Sequence, residues 1–456
     1  MKTLLFVVVT AAAVCTLAFG QVIDGSTSGY SRYRLIDLGT LGGPLSFNVF
    51  PARNINNRGQ VIGLSETAVA DSNCYLDCYF FHAVERQRDG SITELPFPPG
   101  IDPVTNYSLA GDLTGSGLLA GFVTNGVIDP LTDFPEVRPV IWDRSGANPM
   151  DLGTLGGNSG QATARNRQGH TVGVALNGVA ENPDFASFMN AFLPAATQAR
   201  AFLWQGNGLQ DLGTLGGNDS FAATINDPGL VYGMSYTGTV PNDMTGVPTV
   251  HPFLWTNGQI RDLGSLGGTL AMPGSLTYGP FGALLNRRGD AIGTSTLPGD
   301  EFWHAFVWQG GALRDLGTLG GNLSEALAIN EDSLIVGRAD FSPDSPYHHA
   351  VLWRGGAITD LGVVSPCQNS TATAINAAGD VVGGLGVCTD DPNDLTYASA
   401  FLWRKGNTMV DLNDLISPPS DMHIEFATGI NDQREIFGNA FTPTGEIHAI
   451  VLVPIP

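Results

Sequence analysis

One heptapeptide, Asp-Leu-Gly-Thr-Leu-Gly-Gly, occurs four times in this chain, at 37–43, 151–157, 211–217 and 315–321. A fifth copy at 262–268 has Ser for Thr, reduced copies begin at Asp360 and Asp411, and Glu94-Leu95 falls where another is due. A spacing of roughly 45 to 60 residues marks a repeat architecture, whose small units cannot bury their apolar surface alone. That constraint precedes every other reading: the units must lean on one another.

The unit is clearest between Arg200 and Gly233. It holds Ala201-Phe-Leu-Trp204, a Gly turn, Leu209–Leu215, Gly216-Gly217, Ala222–Asn226, the turn Asp227-Pro-Gly229 and Leu230–Gly233. Each piece is four to seven residues long, too short for a helix of useful stability. In the first piece, alternation puts Phe202 and Trp204 on one face and Ala201 and Leu203 on the other, so both faces are apolar. That pattern predicts a short strand sandwiched between two sheets. Gly supplies positive φ in one hairpin, and Pro and Asn preset the other. The pieces recur in the same order, eight of each.

Four short strands make one small antiparallel sheet, and radial stacking in a β-propeller covers both of its faces. The first repeat begins at its Asp-Leu-Gly strand, and the chain ends on His448–Leu452. The sequence therefore predicts an all-β propeller of eight four-stranded blades, closed by pairing of Tyr33–Leu41 with the C-terminal strand; seven blades or an open β-repeat array are the alternatives. The Ala-rich strand, for example Ala326–Asn330, is expected innermost. The domain layout is a signal peptide (1–20), a lead-in (21–32) and one propeller domain (33–453). Alternate connections of an antiparallel sheet lie on the same side. The long links 65–79, 122–137, 175–198, 235–249, 294–302, 339–347 and 385–397 thus share one face, where loops over a rigid scaffold commonly carry binding residues.

The run His304-Ala-Phe-Val-Trp308, Asp315–Gly321, Ala328-Ile-Asn330 and Ile335-Val-Gly337 resembles the HAF-type extracellular repeat family, named for its His-Ala-Phe triplet. The resemblance extends over nearly all of the chain after residue 32. It implies an exported bacterial repeat protein and no particular activity, so no functional residues carry over.

Residues 1–20 read independently as a secretory signal: Lys2, an apolar core from Leu4 to Leu17, and Ala18-Phe19-Gly20 as a cleavage site. The apolar run is short of the ~20 residues that span a bilayer. A secreted location is expected, with the periplasm as the alternative. Beyond the signal stand Cys74, Cys78, Cys367 and Cys388, an even number that suggests two disulfides in an exported chain. Local pairing, Cys74–Cys78 and Cys367–Cys388, is the simplest of the three connectivities. A formal charge of −22 opposes nucleic acid and anionic membranes as partners.

The repeated Asp37, Asp151, Asp211, Asp262 and Asp315 suggest a carboxylate ring, but one per blade they stand far apart, and each is expected to accept backbone hydrogen bonds from its own turn. The repeated His251, His304, His349 and His448 cannot converge on one ion either and are expected to serve blade packing. No metal or other cofactor is expected. Gly-x-Ser-x-Gly, His-Glu-x-x-His and phosphate-loop motifs are absent. Aromatic residues of the long links, Phe185, Phe188, Tyr236, Phe302 and Trp303, are the candidate ligand contacts, and Asp184, Asp243, Asp300 and Glu301 the carboxylates to test for glycosidic chemistry. The leading expectation is a non-catalytic binding or surface-interaction protein, its partner a carbohydrate or another extracellular protein. A secreted polysaccharide hydrolase or lyase, and a structural matrix or envelope component, are the alternatives.

Overall fold

The structure, a computed structural model, describes residues 29–455 except 49–52, 87–91, 182–195, 244, 344, 346, 387 and 389–396. The expected signal peptide and most of the lead-in lie outside the described residues. The described residues form eight four-stranded antiparallel sheets. Blades 1 to 7 span 42–94, 108–151, 160–211, 220–262, 271–315, 324–362 and 369–411; blade 8 combines 423–454 with Tyr33–Asp37. Blade 4 shows the plan: Ser220–Ile225, Val231–Tyr236, Val250–Thr256 and Gln259–Asp262, hydrogen-bonded in that order.

In blades 3, 4, 6 and 7 the first strand is the Ala-rich piece. First strands touch from blade 2 through blade 4 and from blade 6 through blade 8, which places them around the axis. The second strand carries a Gly for steric reasons. A Cβ on Gly233 would sit 2.2 Å from the Phe221 carbonyl oxygen and 2.6 Å from the Phe253 ring. The Phe of the third strand is thus laid across a second strand that has no side chain there, and Phe202, Phe253, Phe306 and Phe401 are fully buried. Apolar residues from both faces of neighbouring sheets mesh between blades, as the sandwiched-strand pattern predicts.

Asp-Leu-Gly-Thr-Leu-Gly-Gly is the crossover from the outermost strand of one blade to the innermost strand of the next. Its Asp accepts from the Gly two residues on, at 2.8 Å in Asp211 and 2.7 Å in Asp315. Its Thr or Ser hydroxyl donates to the last Gly carbonyl, as Thr154, Ser265 and Thr318 do. The Leu after the Asp is buried in Leu38, Leu152, Leu212 and Leu263 and partly buried in Leu316, and Gly213 and Gly216 adopt φ of 81° and 121°. The motif is a connector, and each of its residues has a structural duty.

Two devices close the ring. Tyr33–Asp37 pairs antiparallel with Ile447–Pro454, from Tyr33 opposite Pro454 to Asp37 opposite Ile450. The second device is a relay of asparagines at the axial end of the first hairpins. The Nδ2 of Asn166, Asn226, Asn286, Asn330 and Asn376 each donates to the backbone carbonyl of the next blade's Asn, at 3.0 to 3.5 Å. Asn431 donates to the Asn56 carbonyl across the closure at 3.0 Å, and Asn56 continues to Thr114 at 3.1 Å. Thr114 has no amide to pass on. There the buried Asp112 accepts from the Arg165 backbone N–H, while Arg53 donates to both Asp112 oxygens through Nε and Nη2, and Nη2 also reaches the Arg165 carbonyl.

Candidate functional site: the long-loop face

The repeated carboxylate, Asp in seven blades and Glu94 in blade 1, is engaged by a residue in the first half or middle of the third strand. His251–Asp262, His304–Asp315, His349–Asp360 and His448–Asp37 bond through Nδ1 at about 2.9 Å. His82–Glu94, Arg138–Asp151, Arg200–Asp211 and Ser399–Asp411 occupy the same place in the other four blades. Burial pushes the Asp315 and Asp360 carboxyls up, but the bonds from His and from the Gly N–H outweigh it and hold both below the ordinary carboxylate value. These residues tie the two outer strands of each blade together. The expected turn bonds of the Asp are present; the His partnership is additional to the packing duty expected for the histidines.

The second-to-third-strand links and the crossovers share one face, as strand alternation requires. Blades 1, 2 and 3 differ from the rest here. Their second strands, Val61–Ala70, Leu119–Asp129 and Thr171–Ala180, run 10, 11 and 10 residues against 6 in blade 4, and pair on beyond the sheet as raised ribbons. The ribbons bend at Asn125-Gly126 and Asn177-Gly178, where the Asn Oδ1 accepts from the Val two residues on. Gly126 and Gly178 take φ of 79° and 76°, a geometry that favours glycine. The bend turns Val127 and Val179 outward, 50% and 53% exposed.

Between the ribbons of blades 1 and 2 lies a cleft of about 370 Å³, lined by Asp71, Tyr75, Phe80, Asn106, Tyr107 and Ile128 among others. The Cys74–Cys78 disulfide fastens the blade 1 tip. Asp71 organises it: one oxygen accepts from Asn73 N–H, the other from Tyr75 N–H and the Tyr107 hydroxyl at 2.7 Å. Burial pushes Asp71 up, but these bonds outweigh it and hold the carboxyl below its ordinary value. Burial, with Asp71 beside it, raises the Tyr107 hydroxyl. Beneath the ribbon, burial and the neighbouring Asp77 push Glu66 up to about 8, with the Leu45 N–H on Oε2 opposing. Glu66 is 1% exposed and braces the ribbon through its bond from the Leu45 N–H. The second disulfide, Cys367–Cys388, is also formed.

The candidate residues from the sequence do not gather at this cleft. Phe185, Phe188 and Asp184 lie outside the described residues. Tyr236 is fully buried between blades, because the second strand of blade 4 runs on to include it. Phe302 and Trp303 are half-buried where the third strand of blade 5 begins. Asp243 and Glu301 are exposed in separate links. Asp300 is a loop latch, accepting from the Thr296 hydroxyl and from the Thr269 N–H and hydroxyl. Among the described residues no group of three His, Cys, Asp or Glu side chains is placed to hold a metal ion, and no helix is long and apolar enough to cross a membrane.

One carboxyl near the axis was not singled out by its sequence. Glu425 is an extra residue in the innermost strand of blade 8, in a bulge between Ile424 and Phe426 toward the end that opens on the long-loop face. Burial pushes it up to about 7. The sequence signal is length: this first strand holds 8 residues, against 7 in blade 7 and 6 or fewer in the other blades.

No family model matches the chain, and no curated protein does. Among solved structures it is similar to the β-propeller domain of the trilobed protease from Pyrococcus furiosus, at 8% identity and a TM-score of 0.44, over 86% of this chain and 100% of that one. Porphyromonas gingivalis dipeptidyl peptidase 4 matches at 8% identity and 0.42, over 86% of this chain and 56% of that one. A gluconolactonase from Xanthomonas campestris matches at 8% identity and 0.32, over 93% and 91%.

Proposed function

We propose that the chain is an exported member of the HAF-type repeat class that binds an extracellular polymer or protein through its long-loop face, without catalysis. One observation carries the reading. Of the eleven large apolar side chains exposed among the described residues, seven stand on links of this face: Val69, Val127, Ile128, Leu131, Val179, Val240 and Phe341. An exposed apolar surface beside a cleft with polar groups is the usual form of an interaction site. The charge of −22 favours neutral or basic partners. The test compares the chain with V127D/V179D on a glycan array and against cell-surface fractions. Loss in the double variant of at least one partner that the parent chain binds, with an unchanged melting temperature, supports the reading; an identical set of partners for both, or none for either, refutes it.

A second reading, cleavage of an extracellular polysaccharide, draws support from Glu425. A carboxyl poised near 7 has the protonation a general acid needs. Turnover of a polysaccharide panel that Glu425→Gln reduces at least about a hundredfold would establish it; turnover unaffected by that change would remove Glu425 from the chemistry.

A further inference from the structure

The opposite face, where the hairpins are short, holds a cleft of about 420 Å³ between blades 3 and 4. Its walls are His170 beside the first hairpin of blade 3, Gln205 and Gln210 flanking the outer hairpin of that blade, and Trp255 and Asn257 of blade 4.

The repeat shows why the cleft exists here. Gln210 pairs with Leu203 in the register that Arg261 holds opposite Leu254 one blade on. Arg261 lies over the Trp308 ring of the next blade, 4.8 Å from its centroid, and fills that groove. Trp255 is the counterpart of Trp308, but Gln210, shorter than Arg, faces it. A second substitution acts in the same direction. The residues flanking the second and third strands bond to each other in blade 5, Gln309 to Asp290 at 3.0 Å, and in blade 7, Arg404 to Asp380 at 3.6 Å. In blade 3 these positions are Gln205 and His170, and among the described residues neither side chain has a hydrogen-bond partner.

We infer that this cleft is a binding site for a neutral saccharide. Its lining contains no Asp, Glu, Lys or Arg, in a chain that carries 43 acidic residues. It offers three carboxamides, Gln205, Gln210 and Asn257, each with one acceptor and two donors, and the imidazole of His170. Neutral groups that both donate and accept suit adjacent hydroxyls and give a charged ligand no counter-ion. Trp255 is 7% exposed, so only the edge of its indole reaches the cleft, as a small apolar contact beside the polar groups. The volume lies within the usual range for small-ligand sites.

The site is independent of the long-loop face, and the variants separate the two. The full chain is titrated calorimetrically with cellohexaose, xylohexaose, mannohexaose and laminarihexaose, and with an alginate hexamer as the anionic counterpart. The expected result is binding of at least one neutral hexamer. Gln210→Arg, which introduces the side chain that fills the neighbouring groove, should weaken it about tenfold or more. Gln205→Ala should weaken it several-fold, V127D/V179D should leave it unchanged, and none of the three should alter the melting temperature. No neutral hexamer bound at about 10 mM, preference for the alginate hexamer, or binding indifferent to Gln210→Arg and Gln205→Ala would each overturn the assignment.

Discussion

Asn226→Ala tests how much of the ring's cohesion comes from the asparagine relay. The side chain donates to the Asn286 carbonyl at 3.0 Å in the next blade and accepts from the Leu230 N–H at 2.9 Å in its own hairpin. The Asn286 carbonyl keeps a second bond from Gly289, but the Leu230 N–H is left without its acceptor. Two net hydrogen bonds at about 1 kcal/mol each, and part of the penalty for an unsatisfied donor, give a loss of about 2–3 kcal/mol. Asn431→Ala should cost about 1 kcal/mol more, because its Nδ2 also binds Glu435 at 2.6 Å and its Oδ1 accepts from both Gln433 and Glu435. Asn207, exposed at a hairpin tip, is the control, and its Ala variant should stay within about 0.5 kcal/mol of the parent. Urea unfolding followed by tryptophan fluorescence gives the midpoint and slope for each variant. If Asn226→Ala cannot be told from the Asn207 control, the relay is an accident of close packing and holds nothing together.

Two further outcomes concern pH. Glu66, raised in the fold to about 8 from 4.5, keeps a proton that the unfolded chain gives up. The folded state therefore binds more protons between those values, and stability should fall as pH rises from 4.5 to 8. Glu66→Gln reproduces the protonated shape, and its unfolding midpoint should lose that slope; an unchanged slope would show that another group causes it. Asp315 is displaced in the opposite direction, below its ordinary 3.8. Its contribution is complete above 3.8 and disappears as pH falls through the depressed value. His304→Ala should shrink that acid loss in melting curves taken across the acid range, and an identical acid limb would contradict the pairing.

What could be read from the sequence was whatever repeats within one unit. Strand lengths, both-sided apolar pattern and turn residues placed the blades, and the incomplete repeats at the two ends placed the closure. The Asn turns were legible, whereas their amide partners 44 to 60 residues further on were not, because those bonds exist only once two blades stack. The His–Asp bond had a signal in the constant spacing of eleven residues between His251 and Asp262, His304 and Asp315, and His349 and Asp360. Tyr236 was misplaced because a strand end and a link start look alike in composition; its full burial follows from one more rung of pairing, Tyr236 with Val250. The two clefts arise from differences between repeats, such as Gln210 against Arg261, whose meaning depends on which tryptophan stands opposite.

The clasp at Tyr33–Asp37 has a temporal consequence. As the chain emerges from the ribosome, Tyr33–Asp37 precedes its hydrogen-bonding neighbour, Ile447–Pro454, by more than four hundred residues. Seven blades can assemble in order behind it while Leu35 and its neighbours wait, with nothing to align against. The circle is joined only once Ile447–Pro454 has been made, so a chain terminated before that strand is left as an open arc with a bare β-edge at each end.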